Sequence, residues 1–436
     1  MRRGFLGMWM ALVLPTLLSA QGAQNSEQGE EAQSLTLRQA VEYALEHSKQ
    51  LQSSRKNIDL YQKKVTEAIS AGLPQIKGTV NYNTNFNYSL NLGGMDVKME
   101  DQMAGNLSLS QLIFSGQWIT GIQTAKIAAK MSELNVASSE LDTKENVLST
   151  YYVILVYERI REILKGNVAN MESLKKHTEN LFAAGVVEET DIDQIRINLA
   201  KLKNSLASVD RNVEVSYNLL RLQLGLETGT PITLTEKLDD FLHEDDYVAL
   251  SMKQFEIEEN VEYKLMNSQE ELNKKMVNMQ KWAYAPTIAG TYSYTYKIIK
   301  PAFDMSPANT AGIAVQIPIF SGLERASKVS QAKIELEQTL LNKSLVEDKL
   351  YMNEAQYKFE LKNATENYLL QNANVAVARK VLQNTQYKYQ EGAVSSFDLT
   401  QANTNYLQAE SDYTESCLSL LQAKTKIERL YNILPY

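Results

Sequence analysis

The sequence predicts a membrane protein of mixed α/β class: a transmembrane β-barrel shared by several chains, four strands from each so that three chains would give twelve, continued by a long α-helical coiled-coil barrel. Three observations in this chain of 436 residues point there. The two halves repeat the same order of landmarks. Each half carries two runs that alternate apolar and polar residues. Each half also holds a long stretch without proline, the strongest helix breaker.

The repeat can be read directly. Val41-Glu42-Tyr43-Ala44-Leu45-Glu46-His47-Ser48 returns as Val261-Glu262-Tyr263-Lys264-Leu265-Met266-Asn267-Ser268. Phe114-Ser115-Gly116 returns as Phe320-Ser321-Gly322, and Gly185 with Asp191-Ile192 returns as Gly392 with Asp398-Leu399. A unit of roughly 200 residues is too long for a solenoid repeat of about 20 to 50, so it reads as a duplicated half-domain packed about a pseudo-symmetry axis. The copies are expected at 35–224 and 248–436, joined by a linker at 225–247 that holds Gly229, Pro231 and a short strand near Ile232 to Leu234.

Residues 1–23 have the layout of a secretory signal peptide: Arg2 and Arg3, an apolar core from Phe5 to Leu18, and small residues at Ala20 and Ala23. A flexible polar tail is expected at 24–34. Beyond the leader no apolar run approaches the ~20 residues of a spanning helix, so membrane insertion must use strands. The formal charge of −8 becomes −10 once Arg2 and Arg3 leave with the leader. With no basic patch, nucleic acid is excluded as a partner. Cys417 is the only cysteine, and its helical surroundings predict a small core residue.

Thr36 and Gln39 form a capping-box pattern that opens a helix expected to run to about Ala71, before Pro74. From Ile76 to Leu92 the even positions are mostly apolar or aromatic, among them Val80, Tyr82, Phe86 and Tyr88, while Lys77, Thr79, Asn81 and Asn83 fill the odd ones. A period of two sustained this long is a strand. Gly93-Gly94 turns it into a second alternating run through Leu107, Leu109 and Ile113, giving a hairpin over 76–114. The second copy gives another at 287–320, with Tyr292, Tyr294 and Tyr296 on one face and Ile313 to Ile319 on the returning strand. Four strands cannot close a membrane barrel, whose smallest forms use about 8, so several chains must share one.

The proline-free stretches predict long helical hairpins at 117–224 and 323–431, with Ser115 and Ser321 placed to cap the long helices and Gly185 and Gly392 to stop them. A 3,4 spacing through Leu350, Tyr357, Leu361, Ala364, Tyr368, Val375, Ala378 and Leu382 is a coiled-coil seam. At 1.5 Å per residue each long helix spans about 100 Å, far beyond the ~30 Å hydrocarbon core, and must project into water.

Taken together, these residues resemble the TolC-like outer-membrane efflux protein family. The resemblance rests on the duplicated halves, the strand hairpins, the two Phe-Ser-Gly turns and the glycine-tipped helical hairpins, and it covers nearly the whole chain after the leader. It implies a homotrimer in the outer membrane of a Gram-negative bacterium, in contact with outer-membrane lipid and with its helices in the periplasm. It further implies a passive gated duct in a tripartite system, with a periplasmic adaptor (membrane fusion) protein and an inner-membrane RND, ABC or MFS transporter as partners.

The resemblance also implies a gate. Tyr389, three residues before Gly392, matches the family's tethering tyrosine, and Asp191 its partner; Asp398 matches a ring aspartate. Two positions depart from the pattern. Val394 replaces an arginine and Gln401 replaces a second ring aspartate, which implies a looser latch and weaker cation selectivity. The tips at Gly185-Val186 and Gly392-Ala393 are the implied adaptor-docking surface. The residues themselves also support plainer readings: Asp191 and Asp398 as first-turn acids complementing a helix dipole, and the glycines as helix stops.

His47, His177 and His243 are scattered without ligand spacing, and no nucleophile arrangement is present, so neither enzyme activity nor a cofactor is expected. A membrane-anchored trimeric coiled-coil fibre or adhesin is the alternative class, although a stalk needs neither strand hairpins nor returning helices.

Overall fold

The computed structural model describes residues 33–86, 88–98, 100–300 and 306–436. The expected leader and most of the expected tail lie outside them. Gln33 and Ser34, read as the end of that tail, instead belong to a strand, β1 (Gln33–Leu35).

Thr36 caps α1 (Leu37–His47) with a complete capping box, Gln39 being its reciprocal partner. The helix does not run unbroken to Ala71. Ser48, at φ −56° and ψ 121°, leaves helical space and α2 (Lys49–Ser70) starts afresh. The break lies where another helix end arrives: a Cβ on Gly225 would stand 2.6 Å from the His47 carbonyl oxygen.

The expected long strand from Ile76 also divides. β2 (Gln75–Asn83) ends where Asp101 accepts the Tyr82 hydroxyl at 2.8 Å and the Asn85 N–H at 3.3 Å, just before Phe86 enters left-handed space at φ 46°. A separate small hairpin follows, β3 (Ser89–Leu92) and β4 (Met95–Lys98), turned by Gly93 and Gly94 at φ 63° and 98°. The chain returns along β5 (Gln102–Phe114).

Ser115 then caps α3 (Gly116–Ala183), accepting the Trp118 N–H at 3.3 Å. α4 (Glu189–Leu224) runs back, followed by β6 (Ile232–Leu234), which pairs parallel with β1. A 3-10 turn at Leu238–Phe241 and the short α5 (Glu244–Met252) complete the linker.

The second copy comprises α6 (Val261–Trp282), β7 (Thr287–Ile299), β8 (Asn309–Gln316), α7 (Glu324–Gln390) and α8 (Ser396–Leu430). β8 stops at Gln316 rather than Ile319, because Pro318 has no N–H to give a ladder. Ser321 does not cap α7 through its side chain. Gly322 and Leu323, both left-handed at φ 57° and 71°, intervene, and only the Ser321 carbonyl meets the helix, accepting the Glu324 N–H at 3.1 Å.

The sheet order is β2-β5-β7-β8, antiparallel throughout, and its register sorts the two faces. Directly opposed residues share a face. Ile76 lies opposite Leu109 and then Tyr292; Gly78 opposite Leu107 and Tyr294; Val80 opposite Gly105 and Tyr296. The other face carries Lys77, Ser108 and Ser293, then Thr79, Asn106 and Thr295, where Asn106 donates to the Thr295 hydroxyl at 3.0 Å. One apolar, tyrosine-rich face and one hydroxyl and amide face are what a barrel needs between lipid and a wet lumen.

The largest core lies at the middle of α3 and the C-terminal ends of α4 and α8, where Leu148, Tyr151 and Ile154 of α3 pack with Val41 of α1, Leu220 of α4 and Leu420 and Ile427 of α8. Cys417 is fully buried in this cluster. Tyr151 donates to Glu236, whose carboxylate also accepts the Leu37 N–H at 2.6 Å, so the linker, α1 and α3 are tied at one point. Toward the tips the core thins to two small seams, one around Met171, Ile195 and Leu199 and one around Leu382, Tyr389 and Leu399.

Buried positions along α7 fall at Ala332, Thr339, Leu350, Leu361, Tyr368, Val375, Leu382 and Tyr389. Spacings of eleven from Thr339 to Leu361 give way to spacings of seven from Leu361 to Tyr389. Sevens favour a left-handed supercoil and elevens do not, so the inward-facing pattern is of heptad type toward the tip and departs from it in the middle.

Candidate functional site

Both helical hairpins turn with the same hydrogen-bond geometry. At the first tip Gly185, at φ 75°, donates to Phe182 O at 2.8 Å and Val186 to Leu181 O at 2.9 Å. At the second, Gly392, at φ 68°, donates to Tyr389 O at 3.0 Å and Ala393 to Lys388 O at 2.8 Å. These are Schellman ends, in which left-handed glycine lets two backbone donors close the last carbonyls. The returning helices also start alike. Asp191 Oδ2 accepts the Glu188 N–H at 3.2 Å, and Asp398 Oδ2 accepts the Ser395 N–H at 3.0 Å and hydroxyl at 2.7 Å. Those bonds hold the Asp398 carboxyl below its ordinary range, the Ser395 side-chain bond contributing most.

Three hydrogen bonds then join one hairpin to the other near the tips. Tyr389, in the last turn of α7, meets Thr178 of α3, oxygen to oxygen, at 3.0 Å in a buried seam. The Thr178 hydroxyl donates to Leu174 O, which uses its one proton and makes Tyr389 the donor to Thr178. Asp191 Oδ1 of α4 accepts from the Ser396 hydroxyl of α8. Asn198 of α4 donates to Thr400 of α8 at 3.3 Å.

Tyr389 and Asp191, implied partners by resemblance, thus each bridge the two hairpins, but through Thr178 and Ser396 rather than through each other. The heptad seam turns Tyr389 inward to α3, whereas Asp191 sits on the first turn of α4, already committed to its own helix start. Asp398 and Gln401 are exposed; Gln401 bonds only along its helix, to Asn405 at 2.8 Å. Thr178 was not singled out in the sequence, yet its position seven residues after Met171 on the α3 seam marks it as inward-facing.

The tips also expose Phe182, Val186, Tyr387 and Phe397, with Val186 and Phe397 about two-thirds accessible in the single chain (67% and 66%). Among the described residues no helix is long and apolar enough to cross a membrane, and no three His, Cys, Asp or Glu side chains gather where a metal ion could sit.

A two-faced antiparallel sheet set on two glycine-tipped helical hairpins defines a membrane duct. The sequence profile of the outer membrane efflux protein family matches residues 40–226 and 267–432, one stretch in each copy of the repeat. The chain belongs to the outer membrane efflux protein family, and as such is an efflux channel of the outer membrane. It is 22% identical to the outer membrane efflux protein BepC of Brucella suis over 91% of this chain and 86% of that one. It is likewise 22% identical to the outer membrane protein TolC of Vibrio cholerae, over 96% and 94%. Among solved structures, the channel CusC superposes with a TM-score of 0.77 at 15% identity, covering 91% of each chain. The family selects the duct over the anchored stalk.

Proposed function

We infer that three copies of this chain form one duct whose periplasmic end is held shut by the bonds between hairpins. The single observation that carries the gate is the buried Tyr389–Thr178 contact, which joins two hairpins that otherwise share little core near their tips. Asp191 with Ser396 and Asn198 with Thr400 reinforce it. Asp398, exposed at the start of α8, would supply an acidic ring of one carboxylate per chain, with Gln401 adding polarity but no charge.

Self-assembly is supported by what one chain leaves uncovered. β2 and β8 are open edges, and antiparallel order allows the β8 edge of one copy to meet the β2 edge of the next. Along α7, Ile334, Leu341, Leu345, Met352, Phe359 and Leu370 form an exposed apolar stripe at coiled-coil spacing. Outer-membrane lipid would contact the tyrosine-rich sheet face. The apolar tips around Gly185-Val186 and Gly392-Ala393 suit a periplasmic adaptor that links the duct to an inner-membrane RND, ABC or MFS transporter.

The test is single-channel recording of the purified mature protein in a planar bilayer. Wild type should give small, mostly closed currents that prefer cations, and Tyr389→Phe should raise open probability. Identical currents from both proteins would remove the latch from this account.

A further inference from the structure

Between α3 and the α7/α8 hairpin, beside the latch, lies a cavity of about 430 Å³. Five carboxamides face it: Asn167, Asn170, Gln386, Gln390 and Asn403. Its apolar wall is Met171, Leu174 and Leu399. In a protein with 22% charged residues, none of its lining residues is an acid, a lysine or an arginine, and His177 is the only titratable one.

Two of the amides are out of place for a seam. Asn167 falls on the α3 spacing Leu164, Asn167, Met171, Leu174, Thr178, and Asn403 follows Leu399 by four on α8; they are 6% and 8% exposed. A lone seam Asn can earn its place by pairing across the helices and fixing register. Here neither side chain has a hydrogen-bond partner among the described residues, and the two do not bond each other. Neither amide has a polar atom that is both fully enclosed and unpaired, so both open onto the cavity, where water or a bound molecule can pair with them.

We propose that this cavity binds a small, uncharged molecule rich in hydroxyl or amide groups. Carboxamides both donate and accept, so five of them match neutral groups that do the same. A charged ligand would find no counter-charge. The volume lies within the usual range of small-molecule sites, about 300 to 1,000 Å³. The site also touches the latch, since Leu174 and Leu399 pack in the same cluster as Tyr389, and Leu174 O accepts from Thr178. A ligand bridging α3 to α7 and α8 would favour the engaged hairpins; this consequence, unlike binding itself, rests on the gate reading.

Saturation-transfer NMR on the mature protein in detergent tests binding, with N-acetylglucosamine, sorbitol and N-acetylglycinamide as neutral probes and glucosamine and glutamate as charged counterparts. At least one neutral probe should give a transfer signal that falls fivefold or more in Asn167→Leu/Asn403→Leu, while the charged probes stay silent. Leu174→Phe keeps the amides but fills the space, and should abolish the same signal if the double variant folds poorly. Silence from all three neutral probes, a signal indifferent to these variants, or equal binding of the charged probes would overturn the proposal. Adding the bound probe during bilayer recording should lower open probability; binding without that effect would count against the gate alone.

Discussion

The Tyr389 hydroxyl donates to the Thr178 hydroxyl across 3.0 Å of buried seam, and through it two helical hairpins 211 residues apart in sequence are tied near their tips. A net hydrogen bond of about 1 kcal/mol corresponds to roughly a fivefold change in an equilibrium. Tyr389→Phe and Thr178→Val should each raise open probability about fivefold, and the double variant should add little, since both remove one interaction. Additive effects in single-channel recordings would mean that the two residues act separately.

Asp398 gives the second hairpin a pH dependence. Because its carboxyl is held below the ordinary 3.8 by Ser395, the helix-start bonds are fully present above the unfolded value and are lost as pH falls through the lower folded value. Hydrogen exchange at the start of α8 should therefore accelerate only in strong acid. Asp398→Asn should exchange at one rate, relative to an unstructured reference, across that range; a wild-type tip that loosens near neutral pH would contradict the assignment.

Cys417 should be chemically silent in the folded protein. Burial pushes its thiol up to about 12, and no atom of it is exposed. Maleimide at neutral pH should label it only after denaturation, which makes it a clean unfolding probe. Labelling of native protein would place α8 in a looser packing than described.

Two glycines at the junction of strands and helices serve as sockets for tryptophans. A Cβ on Gly72 would lie 2.1 Å from the Trp118 ring, which is pinned by its Nε1–H bond to Ala68 O at 2.9 Å, and a Cβ on Gly116 would lie 2.2 Å from Trp282. Overpacking of this kind costs about 1 to 3 kcal/mol. Gly72→Ala and Gly116→Ala should lower thermal stability and shift tryptophan emission, whereas Gly121→Ala, where nothing lies within 4 Å, should do neither.

Glu410 is 2% exposed and accepts from Arg379 at 2.8 Å and Tyr406 at 2.7 Å, while its second carboxylate oxygen has no partner. Removing Arg379 strands a buried charge, at a cost of about 1 to 3 kcal/mol. Arg379→Met should destabilise the hairpin in chemical denaturation, and Arg379→Met with Glu410→Met should recover most of the loss. A double variant no better than the single would show that the pair contributes more than charge balance.

Periodicity made much of this fold readable in advance. Alternation separated the Tyr292 and Asn106 faces, and the absence of proline announced α3 and α7, because those signals depend only on near neighbours. What escaped depends on distant chain. The break at Ser48 lies against Gly225, and β2 stops where Asp101 reaches it. At the candidate site the family resemblance implied that Tyr389 and Asp191 pair with each other, whereas the structure pairs them with Thr178 and Ser396, which follow from how each helix is rotated in its seam.

The sheet order carries a consequence for ancestry. β2-β5 is the hairpin of the first copy, β7-β8 that of the second, and the β5-β7 ladder between them is antiparallel, the same kind of contact that the β8 edge offers to a neighbouring β2. Six chains of half this length, each with one hairpin, could close the same ring. Joining two such halves makes every second joint covalent and leaves each half free to differ: one long helix has a serine cap while the other begins at a left-handed leucine.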